Sequence, residues 1–253
     1  MGPCLSFTAQ QMEFYRQFLR LYKIDPCPQK RLDAYAAHEY HPDIDLLRKY
    51  YDAHIRILQQ LELPEKPIFF DEFGMMHPTQ KAEDNLVNAS GVLESLFDSA
   101  DMPGMHVFPW ASFHNPVLQR SLTQFQLNDL GQYEATPHGM AMQLLHMMPE
   151  GQIRLTGDGG RRAFAAGDGK AVYLMITNYA ACPLPVSLSL SGFDGDQAQI
   201  REYRCDQEHN NCFVHPGADR PLITGRQICK KEGDSFLFET ILPPYSFTLL
   251  IAE

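Results

Sequence analysis

Lys66-Pro67-Ile68-Phe69-Phe70-Asp71-Glu72-Phe73-Gly74 is a short apolar run opened by a proline and closed by two adjacent carboxylates. It is too short for an amphipathic helix and rich in β-formers, so it reads as a buried parallel strand. Glu72 falls where the strand stops, and period-two alternation puts it on the face of Ile68 and Phe70. In strand–helix barrels the working residues occupy such C-terminal strand ends. The plainer alternative is that Asp71 and Glu72 begin a solvated loop.

On either side of this run, helix and strand alternate. Ser6 or Thr8 caps a helix with Met12, Tyr15, Phe18, Leu19 and Tyr22 at helical spacing, ended by Pro26 and Pro28. Residues 32–38 form a strand, followed by a helix that carries Leu47, Tyr51, Ile55, Leu58 and Leu61. After the Glu72 strand, a helix from Glu83 to Ser99 buries Leu86, Leu93, Leu96 and Phe97, and a strand runs from Met105 to Trp110. A further helix begins at Thr136-Pro137, with Met140, Leu144 and Met147 on one face. Strand starts recur roughly every 35 residues, the size of a βαβ unit, which implies a parallel sheet in a closed barrel or an open doubly wound form. No GxGxxG turn follows a strand, which disfavours a dinucleotide fold. From Gly151 onward, glycines punctuate short strands; Val186–Leu190 alternates cleanly, and Phe247–Ile251 closes the chain. That pattern predicts an antiparallel β-sandwich over residues 151–253, separate from an α/β unit over residues 1–150.

The chain has 253 residues, 44% hydrophobic and 21% charged, and a formal net charge of -10. This acidic balance argues against nucleic acid as a partner. No apolar run approaches a membrane span, and no signal peptide is visible at the N-terminus as given, so the compartment is left open. The six cysteines form no CxxC pair, and no cofactor or structural zinc site is expected. Cys205 and Cys212 would bridge a loop in an oxidising compartment; free, buried thiols are the expected state. His38 and His41 suggest a metal, but ligands three apart at a strand end point to different faces and no third ligand stands out. Met75-Met76 and Met147-Met148 read as core filler. Glu83 and Asp84 read as first-turn partners of a helix dipole.

The order of these features resembles the C-terminal part of a clan A glycoside hydrolase, most closely family 39, with its β-xylosidases and α-L-iduronidases. Gly2-Pro3 resembles the end of that family's fifth barrel strand. His38-Glu39-Tyr40 is similar to its sixth-strand His-x-Tyr element, and Asp71-Glu72-Phe73-Gly74 to the seventh strand with its nucleophilic glutamate. Phe108-Pro109-Trp110 matches the eighth-strand position that supplies an aromatic sugar platform. Arg201 through Asn211 looks like a Tyr-Arg-x-Asp-x-x-His-x-Asn segment of the family's β-sandwich.

The resemblance implies a partial (β/α)8 barrel, its C-terminal half, followed by a β-sandwich. It implies a retaining glycosidase acting on carbohydrate, with Glu72 as nucleophile, Tyr40 donating to it, and His38, Trp110 and His114 or Asn115 contacting sugar. The family's acidic pair after the eighth strand is replaced here by Ala111-Ser112-Phe113-His114-Asn115-Pro116, which puts xyloside specificity in question. Its acid/base belongs to an Asn-Glu-Pro element in the fourth strand, and the chain contains none. A fragment, a split gene product or an unusual truncation is therefore expected, with a separate N-terminal barrel half as one candidate partner. Glu39 is a poor substitute because it points away from His38 and Tyr40. The competing readings are a non-catalytic carbohydrate-binding or structural module, and a metal-dependent hydrolase built on His38 and His41.

Overall fold

The computed structural model describes residues 4–6, 8–75, 84–110, 121–153, 155, 162–192, 195–217 and 219–253. Four parallel strands form one sheet: β1 (Cys4–Leu5), β2 (Tyr35–Tyr40), β3 (Ile68–Gly74) and β4 (Met105–Pro109), hydrogen-bonded in that order. The helices α1 (Ala9–Ile24), α2 (Leu46–Gln60) and α3 (Asp84–Ser99) alternate with them. This is the partial barrel expected from the sequence: among the described residues the parallel sheet has four strands. Thr8 caps α1 by accepting from the Gln11 amide at 3.2 Å, and the helix stops ahead of Pro26. Arg48 of α2 ties that helix to α3 through Asp98 Oδ2 at 2.9 Å.

One face of the sheet packs on the helices. Tyr35, Ala37, Ile68 and Phe70 join Tyr15, Leu19, Leu47, Tyr50, Ile57 and Leu58 in a single core. The buried stripe of α2 is rotated from the expected one. Tyr50, His54 and Ile57 are inside, while Tyr51 and Ile55 are only half-buried. His54 fits there as a neutral ring among Tyr15, Tyr35 and Tyr50, with Nδ1 2.7 Å from the Tyr15 hydroxyl. The other face carries the stacked rings of Phe69, His106 and Phe108.

The second half is an eight-stranded antiparallel sheet. Its strands are β7 (Gln152–Ile153), β8 (Ala163–Gly167), β9 (Val172–Asn178), β10 (Leu184–Ser191), β11 (Gln197–Cys205), β12 (Gly225–Glu232), β13 (Ser235–Leu242) and β14 (Ser246–Ala252), in the order β10-β13-β12-β11-β14-β9-β8-β7. The sheet folds over at β12, whose Arg226 to Lys230 pair with β11 while Lys231 and Glu232 pair with β13. Leu174, Ile176, Ile200 and Leu250 thereby meet Phe236, Phe238 and Leu242 in a sandwich core. The opposite face of the same sheet presents Met175, Tyr203, Phe247, Leu249 and Ile251 to α3 and α4 (Pro137–His146). Cover on both faces leaves every residue of β14 buried, Ser246 and Thr248 included. A hairpin, β5 (Phe125–Leu127) with β6 (Tyr133–Ala135), precedes α4 and was not anticipated. Thr136 caps α4 by accepting from the Gly139 amide at 3.2 Å.

All six cysteines are free. Cys205, Cys212 and Cys229 are buried as expected, but Cys4, Cys27 and Cys182 are exposed. Burial pushes the Cys212 thiol up to about 12, in keeping with an inert packed group.

Candidate active site

His38 and Tyr40 lie on the face of β2 opposite the helix-packed Ala37, as their period-two spacing requires. Glu72 joins them by a route that alternation does not predict. The β2–β3 ladder pairs Ala37 with Phe70 but His38 with Glu72, so Asp71 is an extra residue in a β-bulge. The bulge inverts the alternation. Phe70 is fully buried and packs edge-on against Tyr50 of α2, at 4.9 Å between ring centroids. Glu72 emerges on the other side, beside Tyr40. The expectation that Glu72 shares a face with Ile68 and Phe70 is therefore corrected, and so is the alternative of a solvated loop at Asp71-Glu72, because both lie within β3.

The Tyr40 hydroxyl donates to Glu72 Oε2 at 2.8 Å. Burial first, and then the Glu72 carboxylate, raise the Tyr40 pKa above that of a free phenol, so the group stays protonated and donates. His38 stands between the two carboxylates, with Nε2 3.1 Å from Asp71 Oδ1 and Nδ1 3.5 Å from Glu72 Oε2. The Glu72 side chain keeps 30% of its exposure, so one part is held while another remains accessible. Glu39, on the helix side of β2, is 6% exposed and is turned away from this group.

Trp110 directly follows β4, and its amide donates to the Phe73 carbonyl at 2.7 Å, one residue beyond Glu72. The residue is 37% exposed. His114 and Asn115 lie outside the described residues, as do Gly2, Pro3, Met76 and Glu83.

Behind this face a buried polar network holds the segment that precedes β5. Asn85 of α3 donates to the Thr123 carbonyl at 2.9 Å and accepts from the His138 amide at 2.8 Å. Asn88 donates to the Ser121 carbonyl, and His138 Nδ1 lies 2.8 Å from the Leu122 carbonyl. Leu122 is thereby set against Gly74, which Tyr40 also approaches: a Cβ added at Gly74 would lie 3.2 Å from Leu122 and 3.3 Å from Tyr40.

The group that sequence reasoning missed is Cys4. Its thiol lies 3.3 Å from Asp71 Oδ1, in the strand next to His38. The signal was there in principle. A stub strand placed beside the His38 strand brings its residues alongside His38, but two paired residues are too short to display a period. The Arg201–Asn211 segment, by contrast, has a local structural role. Asp206 Oδ1 accepts from the Glu208 and His209 amides, and Asn210 bonds Arg204 and Leu222, closing a loop after β11.

No family profile and no curated protein matches the chain. Solved structures do match in fold. A monomeric β-xylosidase from Caulobacter crescentus CB15 superimposes with a TM-score of 0.73 at 15% identity, covering 100% of this chain and 60% of that one. A GH39 enzyme from Xanthomonas axonopodis pv. citri gives 0.69 at 14% identity, covering 100% and 59%. A bacterial orthologue of human α-L-iduronidase gives 0.68 at 14% identity, covering 99% and 54%. The chain thus spans about 60% of the first of these structures. Its fold is that of a partial (β/α)8 barrel carrying an antiparallel β-sandwich, as in these β-xylosidase and iduronidase-like structures.

Proposed function

We propose that this chain carries the nucleophile side of a retaining glycoside hydrolase site. Residues 1–150 would supply the barrel portion and residues 151–253 the supporting sandwich. The observation that carries the reading is the Tyr40–Glu72 hydrogen bond at 2.8 Å across the bulge, at the C-terminal end of a parallel sheet. A phenol on one carboxylate oxygen orients the group and leaves the other oxygen to attack. Glu72 forms a bond to the anomeric carbon as the bond to the leaving-group oxygen breaks, and water later releases the sugar. His38 contacts sugar hydroxyls, and the face of Trp110 stacks on the C–H face of the ring. The second carboxyl, about 5–5.5 Å away in retaining enzymes, comes from barrel strands other than the four described here. This reading requires the remaining barrel strands, whether they belong to the same polypeptide or to a separate one.

The test is trapping with a 2-deoxy-2-fluoro glycoside bearing an activated leaving group, which needs little help from an acid. The chain is assayed alone and with its N-terminal complement. Peptide mass analysis is expected to place the label on the Glu72 peptide; a label elsewhere overturns the assignment.

A second reading is a non-catalytic carbohydrate-binding module. It is favoured by the state of the neighbouring carboxylates. Asp71 is engaged by His38 and Cys4, and Glu39 is buried on the helix side, so neither is placed as the acid/base.

A further inference from the structure

The sugar reading has no role for Cys4 or Asp71, yet both are held against His38. The Cys4 Sγ, an Asp71 oxygen and a His38 ring nitrogen all lie within 4.8 Å of one another. Two edges of this triangle meet at one atom: Asp71 Oδ1 is 3.3 Å from Cys4 Sγ and 3.1 Å from His38 Nε2. In a tetrahedral zinc site with Zn–S near ~2.3 Å and Zn–N or Zn–O near ~2.0–2.1 Å, ligand–ligand edges come to roughly 3.3–3.6 Å. The observed edges lie close to that range before any adjustment.

We propose that Cys4, His38 and Asp71 form a binding site for one thiophilic divalent cation, with Zn2+ as the chemical match. A thiolate, an imidazole and a carboxylate are the donor types Zn2+ takes, and three protein donors leave a fourth position for water or solute. The three residues come from three adjacent parallel strands, so the sheet ladder sets their spacing. The bulge at Asp71 brings its carboxylate and that of Glu72 to the same histidine. Without a cation, burial and the neighbouring carboxylates push the Cys4 thiol up to about 12. A dication reverses the sign of the local field, and binding exchanges the thiol proton, released to solvent, for the metal.

The site differs from the His38–His41 pair considered from sequence. His41 Nδ1 accepts from the Asp43 amide at 3.0 Å, in the turn after β2. Coordination through His38 Nε2 leaves Nδ1–H as the nitrogen facing Glu72 Oε2. The cation would sit one imidazole away from the proposed nucleophile. That last consequence rests on the glycosidase reading; the binding does not.

The test is titration of the chelator-treated chain with Co2+, followed by displacement with Zn2+. A thiolate-to-cobalt charge-transfer band with tetrahedral visible bands is expected. The band should vanish in Cys4→Ala and persist in His41→Ala, and His38→Ala or Asp71→Asn should raise the dissociation constant roughly tenfold or more. Alkylation of the unaltered chain, mapped by peptide mass, removes any dependence on a variant's folding. Zn2+ should slow modification of Cys4 and leave the exposed Cys27 and Cys182 unprotected. Absence of the band, its survival in Cys4→Ala, or equal protection of the three thiols overturns the proposal. Metal binding without fluoroglycoside labelling would sink the glycosidase reading alone.

Discussion

Tyr40 donates its hydroxyl proton to Glu72 Oε2 at 2.8 Å, across the point where β2 and β3 slip by one residue. Without the slip, Glu72 would point with Phe70 into the helix-packed core, where an ionised carboxylate is costly. With it, the carboxylate reaches the accessible face while Phe70 stays fully buried. A single extra residue thus separates the packing function of the strand from its chemistry.

Removal of that hydrogen bond gives the first prediction. A hydrogen bond to a charged group contributes about 1.5–3 kcal/mol, so Tyr40→Phe should slow fluoroglycoside labelling by roughly 10–100-fold. The ring still lies against Gly74, so the thermal midpoint should move little. Labelling at an unchanged rate would detach Tyr40 from the chemistry.

Glu72→Gln and Trp110→Ala separate catalysis from binding. If Glu72 is the nucleophile, the glutamine variant loses labelling entirely yet retains sugar affinity by calorimetry. Trp110→Ala should weaken sugar binding, by about 1–2 kcal/mol for a lost stacking surface. A sugar-binding module predicts no labelling of any form, with the Trp110 effect alone remaining.

The folded state should lose stability in mild acid. His54 and His138 are both fully buried, and burial lowers each pKa from 6.5 to about 4. Between those values the unfolded chain binds the proton and the folded chain does not. The stabilisation is therefore complete above pH 6.5 and is lost as pH falls toward 4. Each histidine should account for on the order of 1–2 kcal/mol between pH 6.5 and about pH 5. Urea unfolding at the two pH values measures the sum. An unfolding free energy that stays flat over this interval would contradict neutral burial of these rings.

The close approach of α4 to the segment before β5 should tolerate no side chain at Gly139. A Cβ there would lie 2.1 Å from the Gln124 carbonyl oxygen, and backbone cannot yield as a flexible side chain does. Gly139→Ala should cost roughly 2–4 kcal/mol despite the better helix propensity of alanine. Asn85→Ala, which leaves the Thr123 carbonyl and the His138 amide without that partner, should cost a similar amount. Thermal unfolding of both variants is the measurement.

The amino-acid sequence on its own determined the order of the elements. Thr8 and Thr136 cap their helices, Pro26 lies beyond the end of α1, and His38 and Tyr40 share a face because two residues separate them. These are local effects of capping, ring closure and period, legible within a few residues. The tertiary structure alone decided the rest. The face of Glu72 depends on a register slip between strands about thirty residues apart, which no alternation within one strand can reveal. The rotation of α2 toward Tyr50 and His54 follows from the aromatic neighbours it meets. The meeting of Cys4 with His38 and Asp71 requires three strands to pair before those side chains can touch, because sheet ladders join residues by hydrogen bonds across the chain, whatever their distance along it.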